Sequence, residues 1–165
     1  HILEAHPTKA EDVESIRVTL PVGGAATVND REMPNVNLQH MMAVFLMDGS
    51  ISFAAAHDMD RFSDPVTVAL REKVELQGDN ALVTADSPRQ GIVELQTKSG
   101  ESYRGHVVAV RGTKENPMST EEIEAKSRDL LVPVLGTDKT DRLIKAIGDL
   151  ESMGSVREFR ELLRP

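Results

Sequence analysis

The sequence predicts an α+β fold: a mainly antiparallel sheet of about four strands with packed helices and a helical C-terminal segment. Three observations predict it. Short stretches that alternate apolar and polar residues cluster around a hairpin signal. Segments of helical period separate the first of these stretches from the others. The chain beyond Gly112 carries only helical patterns and capping signals. Apolar residues make up 39% of the 165, enough for a packed core, and the whole chain is expected to form a single α+β domain.

The opening residues, His1 to His6, have the pattern of the last turns of a helix stopped by Pro7. From Glu14 to Leu20 the pattern alternates. Ile16, Val18 and Leu20 face one way, and Ser15, Arg17 and Thr19 the other, as in a half-buried strand. Pro21 and Gly23-Gly24 end it, and a polar loop is expected to run to Pro34. In Asn37 to Met47, apolar residues recur at Leu38, Met41, Met42, Phe45 and Leu46. Ala43, Val44 and Met47 fill most other faces, which predicts a buried helix. Asn35 or Asn37 can cap its start and Gly49 its end. A short helix follows over Asp64 to Glu72, with Pro65 in its first turn.

Strands are expected at Lys73–Gln77, Gly91–Thr97 and Ser102–Val110, the last two joined by a tight turn at Ser99-Gly100. Ser119-Thr120-Glu121-Glu122 is a capping box. Its helix places Ile123, Ser127, Leu130 and Leu131 on one face and is expected to stop at Pro133. Asp138 opens another, with Leu143, Ile144, Ile147 and Leu150 inward and Gly154 as its breaker. A second capping box, Ser155 to Glu158, precedes Phe159, Leu162 and Leu163.

Composition excludes several classes of function. With no cysteine, the chain has no disulfide, thiol nucleophile or Cys-ligated zinc. The 27 acidic against 19 basic residues give a net charge of -8, which repels phosphate backbones and disfavours nucleic-acid partners. No apolar run approaches the ~20 residues of a membrane-spanning helix, and a cytoplasmic protein is expected. The histidines His1, His6, His40, His57 and His106 show no metal-ligand spacing, so no metal site is expected. His57-Asp58-Met59-Asp60 has the character of a polar loop with a helix cap, and no G-x-S-x-G or phosphate-binding glycine motif is present.

His40 is the sharpest candidate. It lies in the middle of the most apolar helix. A lone histidine there is by default a core residue satisfied by one or two hydrogen bonds. Alternatively, the helix backs a pocket that His40 enters as acid, base or carboxylate donor.

Several stretches together resemble the C-terminal domain of the MmgE/PrpD family, which includes 2-methylcitrate dehydratase, cis-aconitate decarboxylase and iminodisuccinate epimerase. Pro34 followed by Asn37 to Gly49 is similar to the family's S-F-x-Y-x-x-A-x-x-L-x-x-G helix. Asp64-Pro65-Val66 matches its D-P-x-V element. Gly112 to Lys126 resembles G-x-x-x-N-P-M/L-S/T-x-E-E-L-x-x-K, and Glu11 to Val18 resembles the entry into the domain. His40 stands where the family often has Tyr, and Asn37 where Ser is usual.

The resemblance implies the smaller domain of a homodimeric, cofactor-independent lyase acting on a small di- or tricarboxylate. A larger helical domain is expected upstream, and the chain alone is expected to be inert. His40 becomes the candidate catalytic residue, with Gln39 and Asn37 as candidate substrate contacts. Two other readings are a stand-alone binding or dimerisation module, and a domain of an epimerase or isomerase of the same family.

Overall fold

The computed structural model describes residues 2–85 and 89–164. His1, the first residue of the predicted opening helix and one of the histidines considered above, lies outside them. The chain divides into two compact units, His1–Asn116 and Pro117–Pro165.

The first unit begins with a single turn, α1 (Ile2–Ala5), and then the strand β1 (Val13–Pro21). A bulge between Val13 and Ser15 shifts the register of β1. Val13 and Ile16 therefore both bury, although their spacing breaks strict alternation. Helix α2 (Val22–Val28) follows directly, where the sequence predicted a polar loop. Its C-terminal carbonyls are held by the Arg31 guanidinium, which donates to Thr27 O at 2.7 Å and Ala26 O at 2.6 Å. That contact lets a Gly-Gly segment remain helical.

Next come α3 (Leu38–Asp48), α4 (Phe53–Ala56), α5 (Met59–Ser63) and α6 (Pro65–Arg71). Gly49 ends α3 at φ +72°, a left-handed conformation that favours glycine. Ser52, Asp58 and Asp64 cap the three short helices through their side chains. Strands β2 (Val74–Asp79), β3 (Gly91–Thr97) and β4 (Ser102–Val107) complete the unit. The β3–β4 turn forms at the predicted place, with the Gly100 N–H donating to Thr97 O at 3.0 Å.

The sheet has the order β2-β1-β3-β4. It is α+β as expected, but mixed rather than mainly antiparallel. β1 runs parallel to β2, whereas the β1–β3 and β3–β4 pairs are antiparallel. The reason is the long helical excursion between β1 and β2. It returns the chain to the end where β1 began, as a parallel crossover must. Ile16 lies opposite Val74 and Leu95, and Val18 opposite Leu76 and Val93. With Val13 and Leu46 these residues form the core, against which Leu38 and Met42 of α3 pack. The α3 helix is not buried all round, because Phe45 is exposed.

In the second unit, α7 (Thr120–Leu135) packs on α8 (Thr137–Gly148), and α9 (Phe159–Leu162) packs on α8. Both predicted capping boxes form, at Ser119 and Ser155. Pro133 does not stop α7. It lies on an exposed face in the last turns, and Gly136 at φ +76° ends the helix. Leu143 is buried as predicted, whereas Ile147 and Leu150 are exposed. The α8 helix closes at Gly148, before the predicted breaker Gly154.

Candidate functional site

The start of α3 fixes three predicted residues in place. Asn37 is the cap: its Oδ1 accepts the His40 backbone N–H at 2.8 Å. Its Nδ2 donates to Arg31 O at 2.6 Å and Asp30 Oδ1 at 3.5 Å. The Gln39 Oε1 accepts the Asp30 N–H at 3.1 Å, and its Nε2 donates to Asn29 Oδ1 at 2.6 Å. Both amides thus pin the 29–31 loop, in which Asp30 adopts φ +44°. Their polar atoms serve the protein itself.

His40 is different. Its side chain is 0% exposed, and neither ring nitrogen has a hydrogen-bond partner among the described residues. A buried polar atom is paired in the great majority of proteins, so two orphans on one ring mark the site. The Phe62 ring of α5 meets His40 edge-on, centroids 4.9 Å apart at 71°. The Arg71 guanidinium, at the end of α6, lies over Phe62 with Cζ 4.7 Å from the ring centre. The Arg71 Nη1 is buried and likewise has no hydrogen-bond partner among the described residues. Arg61, on α5, is a second nearby cation. It forms a bidentate pair with Asp48 at 2.6 and 2.8 Å.

This setting holds the His40 pKa below its ordinary 6.5. Burial is the main cause, followed by the positive charges of Arg71 and Arg61; Asp58 opposes them. At neutral pH the imidazole is uncharged, with one nitrogen free to accept a proton. The ordinary negative counterweights are already engaged. Asp48 binds the Arg61 guanidinium, Asp58 accepts the Arg61 backbone N–H at 3.0 Å, and Asp64 accepts the Thr67 backbone N–H at 2.9 Å and its hydroxyl at 3.0 Å.

His57 and His106 make contacts of their own. His57 bonds the Phe53 carbonyl through Nδ1 at 2.8 Å, and His106 Nε2 lies 2.9 Å from Gln90 Oε1. Asp58 caps α5, in keeping with the predicted polar loop and cap. Among the described residues no group of His, Asp and Glu is arranged to hold a metal ion. The sequence reading missed Phe62, Arg61 and Arg71, because no spacing rule links residues on α5 and α6 to one on α3.

The family model of the MmgE/PrpD C-terminal domain matches residues 1–152. The chain belongs to the MmgE/PrpD family. The match contains α3, α5 and α6, so the His40 cluster lies inside the MmgE/PrpD C-terminal domain rather than in an appendage. No curated protein matches the chain.

Proposed function

We propose that this MmgE/PrpD C-terminal domain belongs to a lyase acting on a small di- or tricarboxylate, with 2-methylcitrate dehydration as the model reaction. His40 is the proton acceptor in this reading. Its neutral imidazole takes a proton from the carbon beside a substrate carboxylate. The released electron pair forms the carbon–carbon double bond, and the hydroxyl on the adjacent carbon leaves as water after a second group protonates it. The same proton removal, followed by return of a proton to the opposite face of that carbon in place of water loss, gives epimerisation.

The observation that supports the reading is the buried, unpaired imidazole beside two guanidiniums. Burial keeps the ring uncharged at rest, so that one nitrogen is free to accept a proton, and the cations suit an anionic substrate. The domain forms one wall of the site and pairs with a preceding helical domain, in a homodimer. It needs no cofactor.

The test uses the complete protein that carries this chain, assayed for water loss from 2-methylcitrate. A His40→Gln variant is expected to lose about 100-fold or more in kcat while KM stays near its starting value. Undiminished kcat in a folded His40→Gln protein refutes the assignment.

A further inference from the structure

We propose that Arg71 anchors a substrate carboxylate beside His40, with Phe62 as the movable cover between the anchor and solvent. The inference rests on the reading of His40 as the reacting base and adds the group that binds its substrate.

The argument starts from the buried Nη1 of Arg71. A guanidinium has five N–H donors in a rigid fork that fits a carboxylate. The described residues give Arg71 no ion pair, only the stacking contact with Phe62. In a chain with net charge -8, a partly buried cation with no counter-charge is unusual. Both orphan sets border the same aromatic ring. His40 meets its edge and Arg71 its face, each within about 5 Å of the ring centre.

An anion placed where Phe62 now stands satisfies both. One carboxylate oxygen accepts from the Arg71 Nη1, and the His40 ring is within reach of the adjoining carbon. Water fits less well, because it leaves the guanidinium charge uncompensated. Phe62 can move without unfolding the unit. It belongs to α5, a helix of 5 residues, whereas His40 and Arg71 belong to α3 and α6, which pack on each other.

Nuclear magnetic resonance on the complete protein that carries this chain, with citrate as the probe, tests the proposal without requiring turnover. Citrate is expected to shift the His40 ring nitrogens saturably. Its methylene protons should show cross-relaxation with the Phe62 ring and the Arg71 side chain. Arg71→Met should weaken binding about tenfold or more, and Arg71→Lys should restore part of it. Phe62→Ala should bind citrate at least as tightly as the parent chain. The neutral trimethyl ester of citrate should not bind.

Absence of a saturable His40 shift up to about 50 mM citrate overturns the proposal, as do cross-relaxation contacts confined to another surface. So does equal binding by a folded Arg71→Met chain. The two readings fail separately: if kcat survives His40→Gln while citrate still requires Arg71, the base assignment falls and the anchor stands.

Discussion

Replacing His40 by Leu should stabilise the protein. The wild-type ring buries two nitrogens with no hydrogen-bond partner among the described residues. Each such unsatisfied group costs about 1–3 kcal/mol. Leucine removes both atoms at similar bulk. It also forfeits the edge contact with Phe62, worth about 0.5–1.5 kcal/mol. The net expectation is a gain of about 0.5–5.5 kcal/mol, or an increase of at least roughly 2 °C in Tm for the first unit. Differential scanning calorimetry at pH 7.5 measures it, with urea unfolding as the second method.

Acid widens the gap. The folded-state pKa of His40 lies below 6.5, so in the range just below that value the unfolded chain binds the proton and the folded chain does not. Stability from this residue is complete above pH 6.5 and declines as the pH drops, by about 1.4 kcal/mol per pH unit until the folded pKa is reached. The Leu variant lacks that slope. The carboxylates Asp48 and Asp64 have pKa values held below 3.8, so their contributions decline only at lower pH than the range just below 6.5 in which His40 acts. A Leu variant that melts below wild type at pH 7.5, or that keeps the full acid slope, refutes the reasoning. It means that the ring nitrogens are satisfied and that His40 is a structural residue.

Three further outcomes are expected, each measured by urea unfolding. Asn37→Ala removes the cap of α3 and the bond to Arg31 O, and should cost about 1–2 kcal/mol. Gly49→Ala should cost about 1 kcal/mol through its backbone alone, because φ is +72° and no atom lies within 4 Å of an added Cβ. Asp48→Asn loses the bidentate bond to Arg61. With side-chain exposures of 36% and 21%, solvent screening limits the loss to about 0.5–1 kcal/mol. The hydrogen bond to Arg61 lowers the Asp48 pKa, so this difference is present at pH 7 and fades as acid protonates Asp48 in the wild-type protein.

The parts of the fold that were legible are those specified locally. The α3 helix announced itself through its apolar period, the Asn37 cap and Gly49, and all three appear in the structure. The β3–β4 hairpin followed from two alternating runs and Ser99-Gly100. The α2 helix was illegible because Gly23-Gly24 weakens any local helical signal, while its stabilising contact comes from Arg31, beyond its end. The parallel β1–β2 pair was illegible for a related reason. Nothing within either strand encodes a partner about 58 residues away, and only the helices between them determine the direction of return. Of the site, His40 was legible as one polar residue on an apolar helix. Phe62 and Arg71 were not, because their relation to it exists only after α5 and α6 fold back on α3.

That folding back also accounts for how an unsatisfied histidine is tolerated. The residues that hold the first unit together are elsewhere: Val13, Ile16, Val18, Leu46, Val74 and Leu95 on the sheet face. Asn37 and Gln39 stabilise the entry to α3, so that the His40 ring nitrogens have no hydrogen-bonding duty there. The ring is covered by α5, which is fastened at its own end by the Asp58 cap and by the Arg61–Asp48 pair to the last residue of α3. The strain of the unpaired imidazole therefore falls on contacts made by a helix of 5 residues, not on the core. Displacing α5 would uncover the Phe62 side of both His40 and Arg71 while leaving the packing of α3 on α6 in place. A fold that needed His40 for cohesion would have paired its nitrogens. This one encloses them behind a helix of 5 residues, an arrangement suited to a base that meets an anion only when the site opens.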